Sequence, residues 1–227
     1  MKKQTKKTDR RNFGITVCLL TAFVLWTIAV GSFDVQSIGP RDSEVGFATV
    51  NGWIHGFIGV HMQLYVITDW LGLVPLGVAF GFGVFGFVQL IKRRGVFKVD
   101  YSILVLGGFY ILVMSAYVFF EMYVINYRPV LIEGYLEASY PSSTTMLVTT
   151  VMPTTIMQLS KRAKNSSLRW IMKLLINSYI VFMVVGRLVS GVHWMTDIIG
   201  GLLLSAGLVM LYYSVVTVVE NRTDHTV

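Results

Sequence analysis

Six largely apolar runs limit this chain more than any other feature. They cover about 13–30, 65–91, 101–124, 142–159, 174–189 and 194–219. Each approaches or exceeds the ~20 residues that a helix needs to cross a bilayer. Inside hydrocarbon every backbone polar group must find its partner within the protein, and these runs read as helices. The expected fold is therefore all-α: a polytopic bundle of six transmembrane helices. Charged residues make up only 14% of the 227 residues, against about 25% in soluble domains. The first run follows a basic segment, as in a signal peptide. It is long and lacks a clear small-residue cleavage site after 31–34, so it reads as a retained first helix. The layout becomes a basic N-terminus (1–12), one transmembrane domain (13–219) and a short tail (220–227), with no linker or low-complexity tract.

The segments between the runs carry the detail. Residues 34–64 are too broken to span; Trp53 and Phe57 lie one helical turn apart and suit an interface. His55 and His61 read as loop histidines at a wet surface. Gly77 and Gly81 fit a close helix contact, and Pro153 a kink. Cys18, alone in an apolar run, reads as a packing residue. The net charge of +7 matches basic loops facing an anionic leaflet. No nucleic-acid motif accompanies it.

Basic residues also set the orientation. Lys2, Lys3, Lys6, Lys7, Arg10 and Arg11 precede the first run, and Lys92, Arg93, Arg94 and Lys98 follow the second. Lys161, Arg162, Lys164, Arg169 and Lys173 follow the fourth, and Arg222 is in the tail. Both termini are then cytoplasmic, and of 19 Lys and Arg only Arg41, Arg128 and Arg187 fall outside. Three polar segments meet on that outer face: Tyr127-Arg128-Pro129, Pro141-Ser142-Ser143-Thr144, and Arg187 with His193 and Asp197.

These residue types suit phosphoryl transfer, whose catalysis is mostly positioning and electrostatic stabilisation. Arg128 and Arg187 offer guanidinium forks to phosphate oxygens. Ser142 and the amides opening the fourth helix add donors at a helix N-terminus. If a helix begins near His193, Asp197 shares its face and fixes the imidazole tautomer, leaving the other ring nitrogen to attack. The scheme needs no metal or cofactor. The plainer alternatives are a buried ion pair between helix ends, an interfacial arginine, and a serine N-cap.

The pattern resembles the type 2 phosphatidic acid phosphatase superfamily, which includes the vanadium haloperoxidases. Its motifs are Lys-x6-Arg-Pro, Pro-Ser-Gly-His and Ser-Arg-x5-His-x3-Asp, and the resemblance covers roughly 60–215. It implies a six-helix membrane phosphatase acting on lipid phosphates through a phosphohistidine, without metal. On matching positions Arg128, Ser142 and Arg187 bind phosphate, with Ser143 and Thr144 in the same segment. His193 is the nucleophile and Asp197 its partner. The chain departs from the motifs at Glu121, where the family has lysine, at Ser143 and Thr144 for Gly-His, and at Gly186 for serine. A carboxylate at 121 repels phosphate unless it points away or is protonated. Thr144 cannot protonate a leaving oxygen near neutral pH, and general acid help is worth ~10²–10⁴-fold. Glu133, Glu137, Tyr140, His55 and His61 are the candidate substitutes. The expected partners are a lipid phosphate or a polyprenyl pyrophosphate and the surrounding lipids, at the outer face of a bacterial plasma membrane. The alternatives are a relative that binds or transports lipid phosphate without hydrolysis, and a structural membrane protein.

Overall fold

A computed structural model describes residues 2–223. Met1 and 224–227, hence half of the expected tail, lie outside the described residues. So do the side chains of 2–7 and 222–223, including Arg222 and four of the basic residues expected to fix orientation.

The described residues form eight α-helices, with no strand longer than an isolated bridge. They are α1 (Lys2–Ser32), α2 (Ala48–Ile58), α3 (Met62–Leu71), α4 (Leu73–Arg93), α5 (Tyr101–Met122), α6 (Ser143–Arg162), α7 (Ser166–Val189) and α8 (Met195–Thr223). Five segments are long and apolar enough to cross a membrane: Thr8–Ser32, Met62–Arg93, Tyr101–Met122, Ser166–Val189 and Met195–Asn221. The second joins α3 and α4 through Gly72, whose backbone stays helical. The chain is thus an all-α polytopic membrane bundle.

The fourth expected run differs from the rest. Helix α6 has 20 residues but is rich in threonine, and it is not among the five. It packs against α4, α5, α7 and α8, so most of its surface meets protein rather than lipid. Its hydroxyls turn back onto their own helix: Thr149 donates to the Thr145 carbonyl, Thr150 to Met146, Thr154 to Thr150 and Thr155 to Val151. A helix satisfied in this way and shielded by neighbours has no need of an apolar surface. It continues through Pro153.

Helices α1 and α8 pack along each other, and Phe23, Leu106, Phe109, Met146, Leu204, Leu208 and Tyr212 form the main core. The contact expected at Gly77 and Gly81 is absent: a Cβ at either would meet open space. The close approach is at Gly86, where a Cβ would lie 2.9 Å from Ile103. Helix α7 starts two turns before the apolar run, because Asn165 caps it by accepting from the Ser167 and Leu168 amides. Trp53 and Phe57 stack on the exposed side of α2. The other side of α2 holds His55, which is a half-buried helix residue rather than a wet loop histidine.

Candidate active site

The excursion between α5 and α6 folds back on itself as a short hairpin. Arg128 donates its amide to the Glu137 carbonyl at 3.0 Å, and Ser139 donates to Asn126 at 2.9 Å. Tyr127 and Ala138 pair across it. This pairing sets Arg128 opposite Glu137 and Ser139 opposite Asn126, and Trp194 Nε1 holds the Tyr127 carbonyl at 2.7 Å.

Helix α8 begins at Met195, so His193 precedes it rather than sharing its face. Asp197 lies in the first turn and accepts the Trp194 amide at 2.9 Å, which is N-terminal capping. The imidazole and the carboxylate do not bond directly: Nδ1 and Oδ2 are 3.9 Å apart. Ser139 bridges them. Its Oγ donates to Asp197 Oδ2 at 2.5 Å and lies 2.9 Å from His193 Nδ1. A serine hydroxyl has one proton. Once that proton goes to the carboxylate, Nδ1 must donate, and Nε2 is left with a lone pair. That Nε2 is buried and has no hydrogen-bond partner. Asn126 completes the shell, donating to Asp197 Oδ1 at 3.3 Å. Burial, then the charges of Arg128 and Arg187, hold His193 well below the ordinary imidazole range.

Arg187 is 1% exposed. It donates to Thr144 Oγ1 at 2.8 Å and to Thr68 Oγ1 at 3.4 Å, and it pairs with Asp69 at 3.4 Å. Arg128 lies 3.1 Å from Glu137 Oε2. That contact is an ion pair without hydrogen-bond alignment, since Arg128 Nε and Nη1 have no hydrogen-bond partner. Arg187 Nε is likewise unpartnered. The ring of Tyr65 underlies both guanidinium groups, 5.7 Å from that of Arg128 and 5.1 Å from that of Arg187, within cation–π reach. Three buried groups able to bond an anion thus keep unused capacity close together, which is rare in native structures and marks a ligand position.

A cleft of about 690 Å³ opens onto this cluster, lined by Arg128, Arg187, Ser143 and Thr144 among others. Of the seven catalytic and phosphate-binding residues expected from sequence, those four reach the cleft, and Glu121, Tyr127 and Glu137 line it as well. Ser142 does not: it is fully buried, accepts the Thr145 amide at 3.5 Å as the cap of α6, and donates its own amide to the Asp197 carbonyl at 3.0 Å. It therefore locks α6 to α8 instead of presenting a donor. His193 is 3% exposed and is not among the residues lining the cleft.

Most of the candidate substitute acids are placed elsewhere. Tyr140 bonds Thr27 at 2.7 Å inside the core. Glu133 is at the hairpin turn. His55 Nε2 meets the Gly191 carbonyl at 3.1 Å, and His61, exposed, meets the Ile58 carbonyl at 3.0 Å. Sequence reasoning missed Ser139, Asn126, Tyr65, Thr68 and Asp69. Only the last three carried a signal, as polar residues at helical spacing within an apolar run. Among the described residues no cluster of His, Cys, Asp and Glu could hold a metal ion.

A sequence profile described as "PAP2 superfamily" matches residues 76–220. No curated protein matches the chain. Its fold is similar to the "Crystal structure of the first transmembrane PAP2 type phosphatidylglycerolphosphate phosphatase from Bacillus subtilis". The likeness has a TM-score of 0.52 and covers 87% of this chain and 94% of that one. At 18% identity it is a likeness of fold.

Proposed function

The chain belongs to the PAP2 superfamily, and we propose that it hydrolyses a lipid phosphate or lipid pyrophosphate through a phosphohistidine at His193. One observation carries this reading: His193 Nε2, Arg128 Nε and Nη1, and Arg187 Nε are all buried and lack hydrogen-bond partners. A bound phosphoryl group would take up the arginine N–H donors and set its phosphorus before the Nε2 lone pair. The two guanidinium groups would hold its oxygens while Nε2 attacks phosphorus in line. Ser139 and Asp197 would stabilise the imidazolium that forms. Preorganised donors of this kind are worth about 2.7–4 kcal/mol each in the transition state. Water then cleaves the P–N bond and releases inorganic phosphate.

The finer topology belongs to the same proposal. Helix α6 is the sixth crossing, a passenger shielded by its neighbours, and 13–219 form one domain. Both termini are cytoplasmic and the cleft faces outward in a bacterial plasma membrane, as the basic loops require. The substrate enters as a lipid, since apolar Leu73, Leu76 and Met114 line the cleft beside the arginines.

A second reading rests on Thr144, whose hydroxyl is engaged by Arg187, and on Glu121, which also lines the cleft. A site so altered could bind or carry lipid phosphate without cleaving it. Purified protein in mixed micelles separates the two. Phosphate release from phosphatidic acid, phosphatidylglycerol phosphate or a polyprenyl pyrophosphate, abolished by His193→Ala, supports hydrolysis. Binding of those lipids with no release from pH 5 to 9 overturns it in favour of the second reading.

A further inference from the structure

Resting on the hydrolase reading, we infer that Glu121 is the general acid that protonates the leaving oxygen. An alkoxide leaves slowly unless it takes a proton as the P–O bond breaks. The donor must reach the cleft and must change its protonation state near neutral pH. Serine, threonine and tyrosine hydroxyls there hold their protons too firmly. Three carboxyl groups remain among the lining residues: Asp69, Glu121 and Glu137. Asp69 pairs with Arg187 at 3.4 Å, and Glu137 lies 3.1 Å from Arg128. Both carboxyl groups are thereby engaged by the guanidinium groups. No ion pair is recorded for Glu121 among the described residues, so it is free to cycle between acid and carboxylate.

Its placement fits the task. On α5, Met114, Tyr117 and Glu121 line the cleft, with Val124 just beyond the helix end, and the spacing of three and four residues from Met114 to Glu121 puts these three on one helix face. Glu121 is thus the acidic member of this cleft-facing set, in the last turn of α5 before the hairpin that carries Arg128. A small recess lined by Glu121, Ser139 and Ser143 connects this face to the hairpin beside His193. The charged groups on the surrounding elements are Arg128 and Glu137 on the hairpin, Asp69 on α3 and Arg187 on α7. The phenol of Tyr117 is one turn away on α5 itself.

The step balances. The Nε2 lone pair forms the N–P bond, and the P–O bond breaks with its electron pair on the lipid oxygen. That oxygen takes the proton of Glu121 and departs as an alcohol. The water that attacks phosphorus keeps its protons on the departing phosphate, and the Glu121 carboxylate takes a proton from solvent in the cleft. The P–N electrons return to Nε2, phosphate leaves, and Glu121 is again an acid.

The test compares two leaving groups on the purified full chain. With phosphatidic acid, whose leaving group is an alkoxide, Glu121→Gln should lower kcat by about 10²–10⁴-fold and remove the decline in rate at high pH that marks a general acid. With p-nitrophenyl phosphate, whose leaving group needs no proton, the same variant should lose far less. Glu121→Asp, which keeps an acid on a shorter stem, should fall between. Equal losses on both esters, or no loss on phosphatidic acid, overturn the assignment. If His193→Ala abolishes cleavage of both esters while Glu121→Gln matches the parent, this inference alone fails. If the parent protein cleaves neither ester, the hydrolase reading fails first.

Discussion

At Ser139 one hydroxyl proton sets the state of the imidazole. It goes to Asp197 at 2.5 Å, so the ring must donate through Nδ1 and offers Nε2 unprotonated. Ser139→Ala breaks that relay but leaves both arginines in place. The expected outcome is a fall in kcat of about 10²-fold, the lower end for a positioned proton-transfer group, with KM nearly unchanged. Ser139→Thr, which keeps the hydroxyl, should recover most of it; steady-state kinetics with one lipid phosphate decides. The buried imidazole also makes a pH prediction. His193 stays neutral in the folded protein well below the ordinary imidazole range, while the unfolded chain takes up a proton near pH 6.5. The unfolded state then binds more protons, so this residue's contribution to stability is present above about pH 6.5 and is lost as pH falls. The acid limb of kcat/KM, if His193 is the nucleophile, should likewise lie below the usual histidine value. Thermal unfolding and rate profiles from pH 4 to 8, beside His193→Ala, check both.

Among the elements, the loop between α7 and α8 is fixed by its neighbours rather than by its own sequence. Gly191 has φ +69°, and a Cβ there would lie 2.0 Å from the Gly59 carbonyl oxygen. His61 donates its amide to Ser190, and His55 contacts the Gly191 carbonyl. Gly191→Ala should therefore destabilise by at least the ~1–3 kcal/mol of a strained backbone and displace His193; the unfolding midpoint in detergent and phosphate release should fall together. This clamp was not legible in the sequence, because α2 lies more than 130 residues upstream of the loop it contacts. The Arg187, His193 and Asp197 set was legible, since ionisable residues inside apolar runs stand out. Their direct contact was not: the helix starts two residues after His193, and Ser139 fills the gap. Hydropathy also treated α6 like the other runs. Hydropathy reads the demand of lipid, and a helix enclosed by protein escapes that demand. Gly77 and Gly81 show the converse, small residues at contact spacing with nothing packed against them.

For the whole molecule, the two ends of the bundle differ in kind. Opposite the candidate site, Arg93 bonds Asp100 at 2.8 Å and holds that carboxyl below its usual range, while Gln89 and Arg162 close around it. Lys161 pairs with Glu220 beside this cluster. The proposed orientation puts this lock in the cytoplasm. In a Cys18→Ser background, a cysteine at Glu133 should label with a membrane-impermeant maleimide in intact cells, and one at Lys164 only after permeabilisation. The reverse pattern overturns the topology. At the other end, each arginine has a carboxylate companion, Asp69 for Arg187 and Glu137 for Arg128. A phosphoryl group bound as proposed would compete with those companions for the guanidinium groups. If the chain hydrolyses lipid phosphates as proposed, released orthophosphate would have to compete with these carboxylates, so weak end-product inhibition is the expected outcome.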